Sequence, residues 1–491
     1  MRFGLERGSG AVLAALMIAG CRGDEPKPIV AKPGFPEGFL WGTATAGFQV
    51  DMGCPTWSAA ECDDPNSDWY QWVTTESIIE QSNLHVSGEP VSAGPGMWEL
   101  FEDDVDLMAA DGFNSYRMSL EWSRLFPDGA AEGATDVASL SAFADPVATA
   151  RYHEMFAALA AVNITPLVTV NHYTLPLWVH DGVACNQDLD TCVADGWVTG
   201  ERIEPLIALY AGWVAMEFGG EVDRWATLNE PFATTLSGYL APGEDRSAPP
   251  GLFLSADAVV ASLTNQIEAH AKMYDAIVEH DANGEAEVGI VLNMVSITPE
   301  DPYNPDDVAV VAHMDHLYHR LFLDGLTKGS WDDDLDGTFE ATRPELANRL
   351  DWVGINYYNQ VSVRGWGALI AQIPVFDFYP TFSWDPYPAG IADVIRIAQE
   401  YPLPIYITEN GTPHTDMADT VLEEHVTSML DTISAGADVR GYHYWSFIDN
   451  YEWNHGLDLR FGLYELDAAT KARVPRPVRD RYREIIAAQG P

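Results

Sequence analysis

Short apolar runs alternate with longer amphipathic stretches from Phe35 almost to the end of the chain. Eight runs have the length and apolar content of buried strands, and they cover residues 38–46, 113–120, 164–172, 222–229, 287–293, 349–356, 404–409 and 440–446. Stretches with helical periodicity lie between them, at 98–111, 150–162, 203–218, 256–280, 306–326, 390–401 and 419–436. This alternation favours a parallel sheet with crossover helices, and eight units close a barrel.

One domain accounts for this whole region. The length of 491 residues would allow about three domains, but no repeat of fixed period and no low-complexity linker follows residue 35. We therefore predict an α/β fold in which residues 35–491 form a single (β/α)₈ TIM barrel with extended loops at the carboxyl ends of its strands.

The first 34 residues are not expected to belong to this domain. Arg2 and Arg7 precede an apolar run, 11–19, that is too short to span a bilayer and is typical of a secretory signal. The small residues before Cys21 resemble the bacterial lipobox, which implies diacylation of Cys21. Residues 1–21 would then be the signal and 22–34 a flexible tether. An ordinary signal peptide cut nearby is the alternative to this exported, lipid-anchored protein.

The other four cysteines form an even set. They are Cys54, Cys62, Cys185 and Cys192, and their two short spacings favour disulfides joining Cys54 to Cys62 and Cys185 to Cys192. Three pairings are possible for four cysteines. A metal site is the rival interpretation, but no histidine completes a familiar ligand spacing, so we predict no metal.

The charge balance narrows the range of partners. The chain has 74 acidic and 26 basic residues and a net charge of −48, which argues against nucleic acid as a partner. No glycine-rich, phosphate-binding loop is present, and we predict no organic cofactor. A membrane would be contacted only through the lipid on Cys21, and no motif specifies an oligomeric state.

Two glutamates stand where predicted strands end. Glu230 closes the fourth strand and Glu409 closes the seventh, and barrel enzymes carry their chemistry at these carboxyl ends. Two carboxyl groups held close together push their pKa values apart, so that one can donate a proton while the other attacks. Such a pair is the equipment for cleaving a glycosidic bond.

The residues around both glutamates resemble a known family. Thr227–Pro231 and Ile407–Gly411 are similar to the acid/base and nucleophile motifs of glycoside hydrolase family 1, the retaining β-glycosidases. Further blocks follow in family order, namely Gly38–Gln49, Tyr116–Ser119, Trp122–Pro127, Asn171–Tyr173, Asn356–Tyr358, Trp445–Ser446 and Asn450–Trp453. The resemblance extends from residue 35 to about residue 485.

The resemblance implies roles for the residues at the reacting centre. Glu230 would be the general acid and then the base, and Glu409 the nucleophile that forms a glycosyl-enzyme. A separation of about 5 Å between the two carboxyl groups would make the enzyme retaining. Arg117 is expected to contact Glu409 and keep it ionised. Tyr358 would donate to Glu409, and Asn229 would bind the sugar 2-hydroxyl.

The resemblance also implies a sugar-binding shell. Its members would be Gln49, His172, Asn229, Asn356, Glu452 and Trp453, with Trp445 as the apolar floor. The alternative is that the histidine and tryptophans are ordinary core residues. Glu452 would repel a phosphate, so an unphosphorylated β-glycoside is the expected substrate. Trp384 is a possible aglycone platform or, equally, a loop-packing residue.

The chain departs from the family pattern at several positions. Tyr173 stands where many relatives carry tryptophan, residues 184–195 resemble an insertion, and Asp51–Gly53 replaces the usual triplet after Gln49. We expect these changes to alter the rim of the site more than the reacting centre. They leave the aglycone preference open, and the sequence does not distinguish gluco, galacto, fuco or manno glycones.

Two other functions use the same fold. A transglycosylase would share every residue named above and would differ only in the acceptor that resolves the intermediate. A catalytically silent, carbohydrate-binding barrel is disfavoured because both glutamates are present.

Overall fold

The computed structural model of the chain describes residues 34–244, 246–365 and 378–489. The predicted lipidation site, Cys21, lies outside the described residues, together with the predicted signal and the tether up to residue 33. Within the described part, no helix is long and apolar enough to cross a membrane.

Eight parallel strands form a closed barrel, which confirms the predicted fold class. The strands are β1 Leu40–Ala44, β2 Ser115–Ser119, β3 Thr165–Asn171, β4 Arg224–Asn229, β5 Glu287–Asn293, β6 Trp352–Tyr357, β7 Ile405–Asn410 and β8 Val439–Trp445. Each strand pairs with the next in chain order, and β8 closes the barrel against β1 with Leu40 opposite Gly441. All carboxyl ends therefore meet at one mouth.

A helical segment follows every strand. In chain order these are Met97–Asp111, Pro146–Ala161, Gly200–Phe218, Ala256–His280, Pro305–Asp315 continuing through the π-turn His316–Arg320 into Leu321–Lys328, Gly390–Ala398, Ala418–Ser434 and Pro477–Gln489. The first seven agree with the predicted helices to within a few residues. The eighth was not predicted, because three arginines dilute its apolar stripe. Its Val478 and Tyr482 are nevertheless buried, and the Tyr482 hydroxyl donates to the Gly42 carbonyl at 2.8 Å.

Shorter elements build the loops. The α-helical turns are Gly47–Asp51, Ala59–Cys62, Asp68–Thr74, Glu76–Ile79, Trp122–Leu125, Val137–Leu140, Gly182–Gln187 and Pro231–Thr235. The 3₁₀ turns are Val91–Ala93, Gly129–Gly133, Ser141–Phe143, Leu189–Thr191, Gly196–Val198 and Trp453–His455, and Leu236–Leu240 is a π-turn. In a small three-stranded sheet, Asn359–Gly365 lies between Ser296–Pro299 and Phe378–Pro386. Two further small sheets pair Ser330–Trp331 with Ala341–Thr342 and Tyr464–Leu466 with Arg473–Pro475.

Both predicted disulfides are present. One joins Cys54 to Cys62 and the other joins Cys185 to Cys192. Each closes a loop of fewer than ten residues, the first after β1 and the second after β3. They therefore restrain segments at the mouth of the barrel.

The barrel interior is a small, separate apolar cluster. It contains Leu167, Ala226, Val291, Trp352 and Tyr406, which come from five consecutive strands. The large Trp352 ring fits because Gly289 lies beside it. A Cβ atom at position 289 would approach that ring to 2.3 Å.

Gly289→Ala should therefore destabilise the barrel by about 1–3 kcal/mol, since overpacking forces side chains out of their rotamers. Thermal or urea unfolding measures the effect. Gly220→Ala is the matched control, because no atom lies within 4 Å of its added Cβ. Equal stabilities of the two variants would contradict this account of the core.

Candidate active site

The two glutamates lie at the same mouth of the barrel. Glu409 is the penultimate residue of β7, and Glu230 directly follows β4. Both are buried, with 4% and 6% of their surface exposed. Glu230 adopts a left-handed backbone with φ 46°, where the chain turns from β4 into the helical turn that begins at Pro231. A side chain with a Cβ atom adopts this conformation at a cost of about 1 kcal/mol, and such residues concentrate at functional sites.

Glu409 is held on both carboxylate oxygens. Arg117 of β2 donates through Nη1 to Oε1 at 2.5 Å, and the Tyr358 hydroxyl donates to Oε2 at 2.6 Å. The arginine side chain is completely buried. The structure thus brings Arg117 and Tyr358 to Glu409, where the sequence expected them.

The balance of charge and burial around Glu409 differs from the expectation. Burial raises the pKa of Glu409 to about 7, and the neighbouring charge of Glu230 acts in the same direction. The Arg117 cation and the Tyr358 hydroxyl oppose this rise. Arg117 therefore makes the expected contact, but the loss of hydration outweighs its effect on the pKa of Glu409.

Glu230 has neutral partners. Asn356 at the end of β6 donates through Nδ2 to Oε1 at 2.6 Å, and the Tyr173 hydroxyl donates to Oε2. Tyr173 was expected to alter the rim of the site more than the reacting centre, but it contacts Glu230 directly. Its backbone, with φ 71° just after β3, places the hydroxyl on the carboxylate itself, which a sequence pattern does not reveal.

A chain of hydrogen bonds links the two glutamates behind the pocket. Arg117 donates through Nη2 to Asn229 Oδ1 at 2.7 Å, and Asn356 Nδ2 donates to the same oxygen at 3.1 Å. Asn229 Nδ2 in turn lies 3.2 Å from His172 Nε2. Burial, with a contribution from Arg117, lowers the pKa of His172 well below its usual value. The ring is therefore neutral, and its Nε2 accepts a hydrogen bond from Asn229 Nδ2.

Glu452 anchors the opposite side of the pocket. Gln49 Nε2 and Asn450 Nδ2 donate to its Oε2 at 3.0 and 2.7 Å, and Arg246 donates to its Oε1 at 3.0 Å. Arg246 was not predicted. It lies in the irregular loop after β4, where no motif or period marks it.

Aromatic rings complete the wall. The rings of Trp445 and Trp453 are each 6.0 Å from the ring of His172 and nearly parallel to it, and Trp453 also packs on Tyr173 at 4.7 Å. Trp384 lies 6.3 Å from Tyr358, ring to ring.

These residues enclose a hollow with an inner and an outer part. The inner pocket has a volume of about 60 Å³ and is lined by all the sequence-predicted site residues except Arg117 and Asn356, which lie behind its wall. The outer hollow measures about 460 Å³ and extends from Glu230 past Trp384. An enclosed polar pocket that opens into a wider apolar hollow suits a sugar joined to a second group.

Comparison with known proteins identifies the family. The sequence profile of glycosyl hydrolase family 1 matches residues 31–491. The chain belongs to glycosyl hydrolase family 1. As a member of this family it is a glycoside hydrolase that acts on β-glycosides.

Its relatives within family 1 differ in substrate. A β-galactosidase of Pyrococcus woesei is 31% identical, over 93% of this chain and 98% of its own. A 6-phospho-β-galactosidase of Lacticaseibacillus casei is 28% identical, over 92% and 97%. The solved β-glycosidase of Thermosphaera aggregans superposes with a TM-score of 0.82 at 28% identity, over 93% of this chain and 98% of its own.

One acidic group lies apart from the family 1 pocket. Carboxylate oxygens of Asp332, Asp334, Asp336 and Glu340 lie within 4.8 Å of one another, in a loop that leads into the amino end of β6. Three of the four side chains are exposed. Clusters of exposed acids are expected on a chain of net charge −48, so this one by itself does not define a metal site.

The raised pKa of Glu409 predicts a pH-dependent effect on stability. Its folded-state pKa of about 7 exceeds the ordinary value of 4.5, so the folded protein binds this proton more tightly than the unfolded chain does. The resulting stabilisation is complete below about pH 4.5 and is lost as the pH rises through 7.

Relative to Glu409→Gln, the free energy of unfolding of the wild type should therefore fall by about 3 kcal/mol between pH 5 and pH 8. Chemical unfolding of both proteins at the two pH values measures this difference. A difference that stays constant with pH would contradict the assigned shift.

Proposed function

We propose that this family 1 enzyme hydrolyses unphosphorylated β-glycosides with retention of configuration, with Glu409 as nucleophile and Glu230 as general acid and then base. The observation that carries the proposal is that the two buried carboxyl groups have different hydrogen-bond partners. Among the described residues, the Glu409 carboxylate accepts a hydrogen bond from a guanidinium that cannot lose its proton, whereas the Glu230 carboxylate accepts from a neutral amide and a phenol. The cation beside Glu409 stabilises the negative charge that a nucleophile needs, and the neutral donors of Glu230 suit an acid.

The first step forms a glycosyl-enzyme. The Glu409 carboxylate attacks the anomeric carbon while Glu230 gives its proton to the leaving oxygen. The charge on Glu409 disappears as the ester bond forms, and its two donors, Arg117 and Tyr358, stay in place. In the second step the ionised Glu230 takes a proton from water as the water oxygen bonds to the same carbon; the ester bond to Glu409 breaks, and the sugar is released with Glu409 again a carboxylate.

Free polar atoms in the inner pocket support sugar binding. Within the described residues, Gln49 Oε1 and His172 Nδ1 are buried without a hydrogen-bond partner. The first is an acceptor, and the second carries the proton of the neutral ring, so together they match a sugar hydroxyl, which both donates and accepts. Trp445 offers an apolar face to the C–H side of the ring.

Charge at the far side of the pocket favours an unphosphorylated glycone. Arg246 is the cation there, but its charge is matched by Glu452 at 3.0 Å. Among the residues that the structure describes here, a phosphate dianion would meet no uncompensated positive charge, and the Glu452 carboxylate would repel it. Of the two relatives described above, the β-galactosidase is therefore the better guide to substrate class than the 6-phospho enzyme.

The outer hollow favours an apolar aglycone. Leu236, Phe253, Val295, Tyr318 and Trp384 contribute to its lining. Phe253 is 69% exposed, so its ring is accessible to an apolar group in this hollow. Aryl and alkyl β-glycosides therefore fit the site better than short oligosaccharides, and Trp384 is the proposed aglycone platform.

Azide with glycine variants tests both catalytic roles. Glu409→Gly and Glu230→Gly should each lose activity on an aryl glycoside by about 10⁴-fold or more. Azide should restore turnover of a dinitrophenyl β-glycoside by both variants, with opposite products. In Glu230→Gly it attacks the glycosyl-enzyme and gives the β-azide, whereas in Glu409→Gly it replaces the nucleophile and gives the α-azide.

Proton NMR of the products, together with the anomer first released by the wild type, reports the outcome. Glu204→Gln is the matched control, since this glutamate is also buried but pairs with Lys272 away from the pocket, and it should keep normal activity. An α-sugar as the first product, or a β-azide from Glu409→Gly, would refute the assignment.

We also propose that the protein is exported and anchored by a lipid on Cys21. The two disulfides support export, because such bonds persist in oxidising compartments. The catalytic domain would then reach its substrate outside the cytoplasm, at the end of a short tether.

In a bacterial host fed labelled palmitate, the full-length protein should incorporate label and partition into detergent. Cys21→Ser should remove both properties and leave the specific activity unchanged. An unlabelled, freely soluble wild-type protein would instead indicate an ordinary cleaved signal.

A further inference from the structure

We propose that the Tyr173 hydroxyl is a positioning group that keeps the acid proton of Glu230 on Oε2, by accepting that proton's hydrogen bond before cleavage and donating its own hydrogen to the carboxylate afterwards. This inference rests on the proposed acid/base role of Glu230. It concerns a residue that differs from the tryptophan of many relatives.

Arg117 determines the direction of each hydrogen bond in the chain that leads to Glu230. A guanidinium only donates, so the atom of Asn229 that faces Arg117 Nη2 at 2.7 Å is the amide oxygen. That oxygen also faces Asn356 at 3.1 Å, so Asn356 presents its NH₂ group there. The oxygen of Asn356 accepts from the Thr408 hydroxyl at 2.8 Å, which completes its arrangement.

The same hydrogen bonds determine which oxygen of Glu230 carries the acid proton. The same NH₂ group of Asn356 lies 2.6 Å from Glu230 Oε1, so Oε1 must accept and cannot carry the acid proton. The acid proton therefore belongs on Oε2. The neighbour of Oε2 is the Tyr173 hydroxyl.

A phenol hydroxyl can serve both states of Glu230, because it donates one hydrogen bond and accepts another. Burial, with the negative charge of Glu230, raises the pKa of Tyr173 well above its usual value, so the hydroxyl stays protonated. In this structure it donates to Oε2, which is the arrangement for the ionised Glu230. The indole of a tryptophan could only donate, and would therefore support the carboxylate alone.

The ring of Tyr173 is held in place independently of the hydroxyl. It is 92% buried and packs against Trp453 at 4.7 Å and against His172 at 5.5 Å. Rotation about the C–O bond is therefore the motion left to the group, and it suffices to exchange donor for acceptor.

Protons balance over the cycle. The O–H bond at Oε2 breaks as a new O–H bond forms on the leaving oxygen, which takes the electron pair of its bond to the anomeric carbon. The Tyr173 hydrogen then turns toward Oε2. In the second step a water proton returns to Oε2 as the water oxygen bonds to the same carbon and the ester bond to Glu409 breaks, and Tyr173 turns back.

Other ionisable groups also surround Glu230 and Tyr173, and they come from several elements. They are Glu409 on β7, Arg117 on β2, His172 after β3, Arg246 in the loop after β4, Tyr318 in the π-turn His316–Arg320, Tyr358 after β6 and Glu452 after β8. None of these is changed by a substitution at position 173, so each contributes equally to the variant and the wild type.

The pH profile of kcat/KM tests the proposal. Tyr173→Phe removes only the hydroxyl, so the ionised Glu230 loses a donor and the alkaline limb should move up by about one pH unit, a tenfold change in the proton equilibrium. On a dinitrophenyl glycoside, whose second step needs the ionised Glu230, kcat should fall about tenfold. Tyr173→Trp keeps a donor, so its alkaline limb should not move upward.

Tyr451→Phe is the matched control. Its ring belongs to the same aromatic cluster, and its hydroxyl makes a partly buried hydrogen bond to the Glu89 carbonyl at 2.8 Å, but none to Glu230. Its alkaline limb should not move. Thermal unfolding of all three variants checks that they are folded.

An unmoved alkaline limb in folded Tyr173→Phe, or an equal shift in Tyr451→Phe, would overturn the inference. The azide experiment keeps this failure separate from that of the proposed function. If Glu230→Gly yields the β-azide and Tyr173→Phe keeps the wild-type profile, only the role of Tyr173 is refuted.

Discussion

A fully buried guanidinium organises the active site. Arg117 extends from β2 across the barrel mouth, and no part of it is exposed. It donates to Glu409, to Asn229, to the Thr169 hydroxyl at 3.2 Å and to the Thr408 carbonyl at 3.4 Å. A buried cation is tolerable only where such acceptors replace its hydration. Four strands must therefore keep their register for the charge to be accommodated, which couples the site to the closure of the barrel.

The same cation gives the site its polarity. Because guanidinium has no acceptor, it fixes which atom of Asn229 faces it, and Asn229 in turn fixes Asn356. A chain of hydrogen bonds therefore connects Glu409 to Glu230 through Arg117, Asn229 and Asn356. Glu409 is hydrogen-bonded to a cation, whereas Glu230 is hydrogen-bonded to an amide and a phenol, although both glutamates lie at the ends of barrel strands.

The sequence predicts the parts of the molecule that repeat or that follow short motifs. The eight strands, seven of the helices and the meeting of Glu230 with Glu409 at one mouth all follow from apolar periodicity and strand order. The contact of Arg117 with Glu409 follows from the family motifs around it. These features depend on local patterns that survive in a single sequence.

The features that escaped prediction depend on irregular backbone. Tyr173 reaches Glu230 because its φ is positive, and Arg246 reaches Glu452 from a loop without regular structure. The last helix was missed for a different reason, since its arginines mask its apolar stripe. A short window of residues indicates the propensity for a helix or a strand, but it does not indicate which distant residue a loop side chain will contact.

Burial explains why each carboxylate of the inner pocket has several hydrogen-bond donors. Removing a carboxylate from water disfavours its charged form, and at Glu409 this effect exceeds the help from Arg117. Arg117 and Tyr358 reduce this cost of burial but do not remove it, so losing either donor would place the pKa of Glu409 still further above its ordinary value.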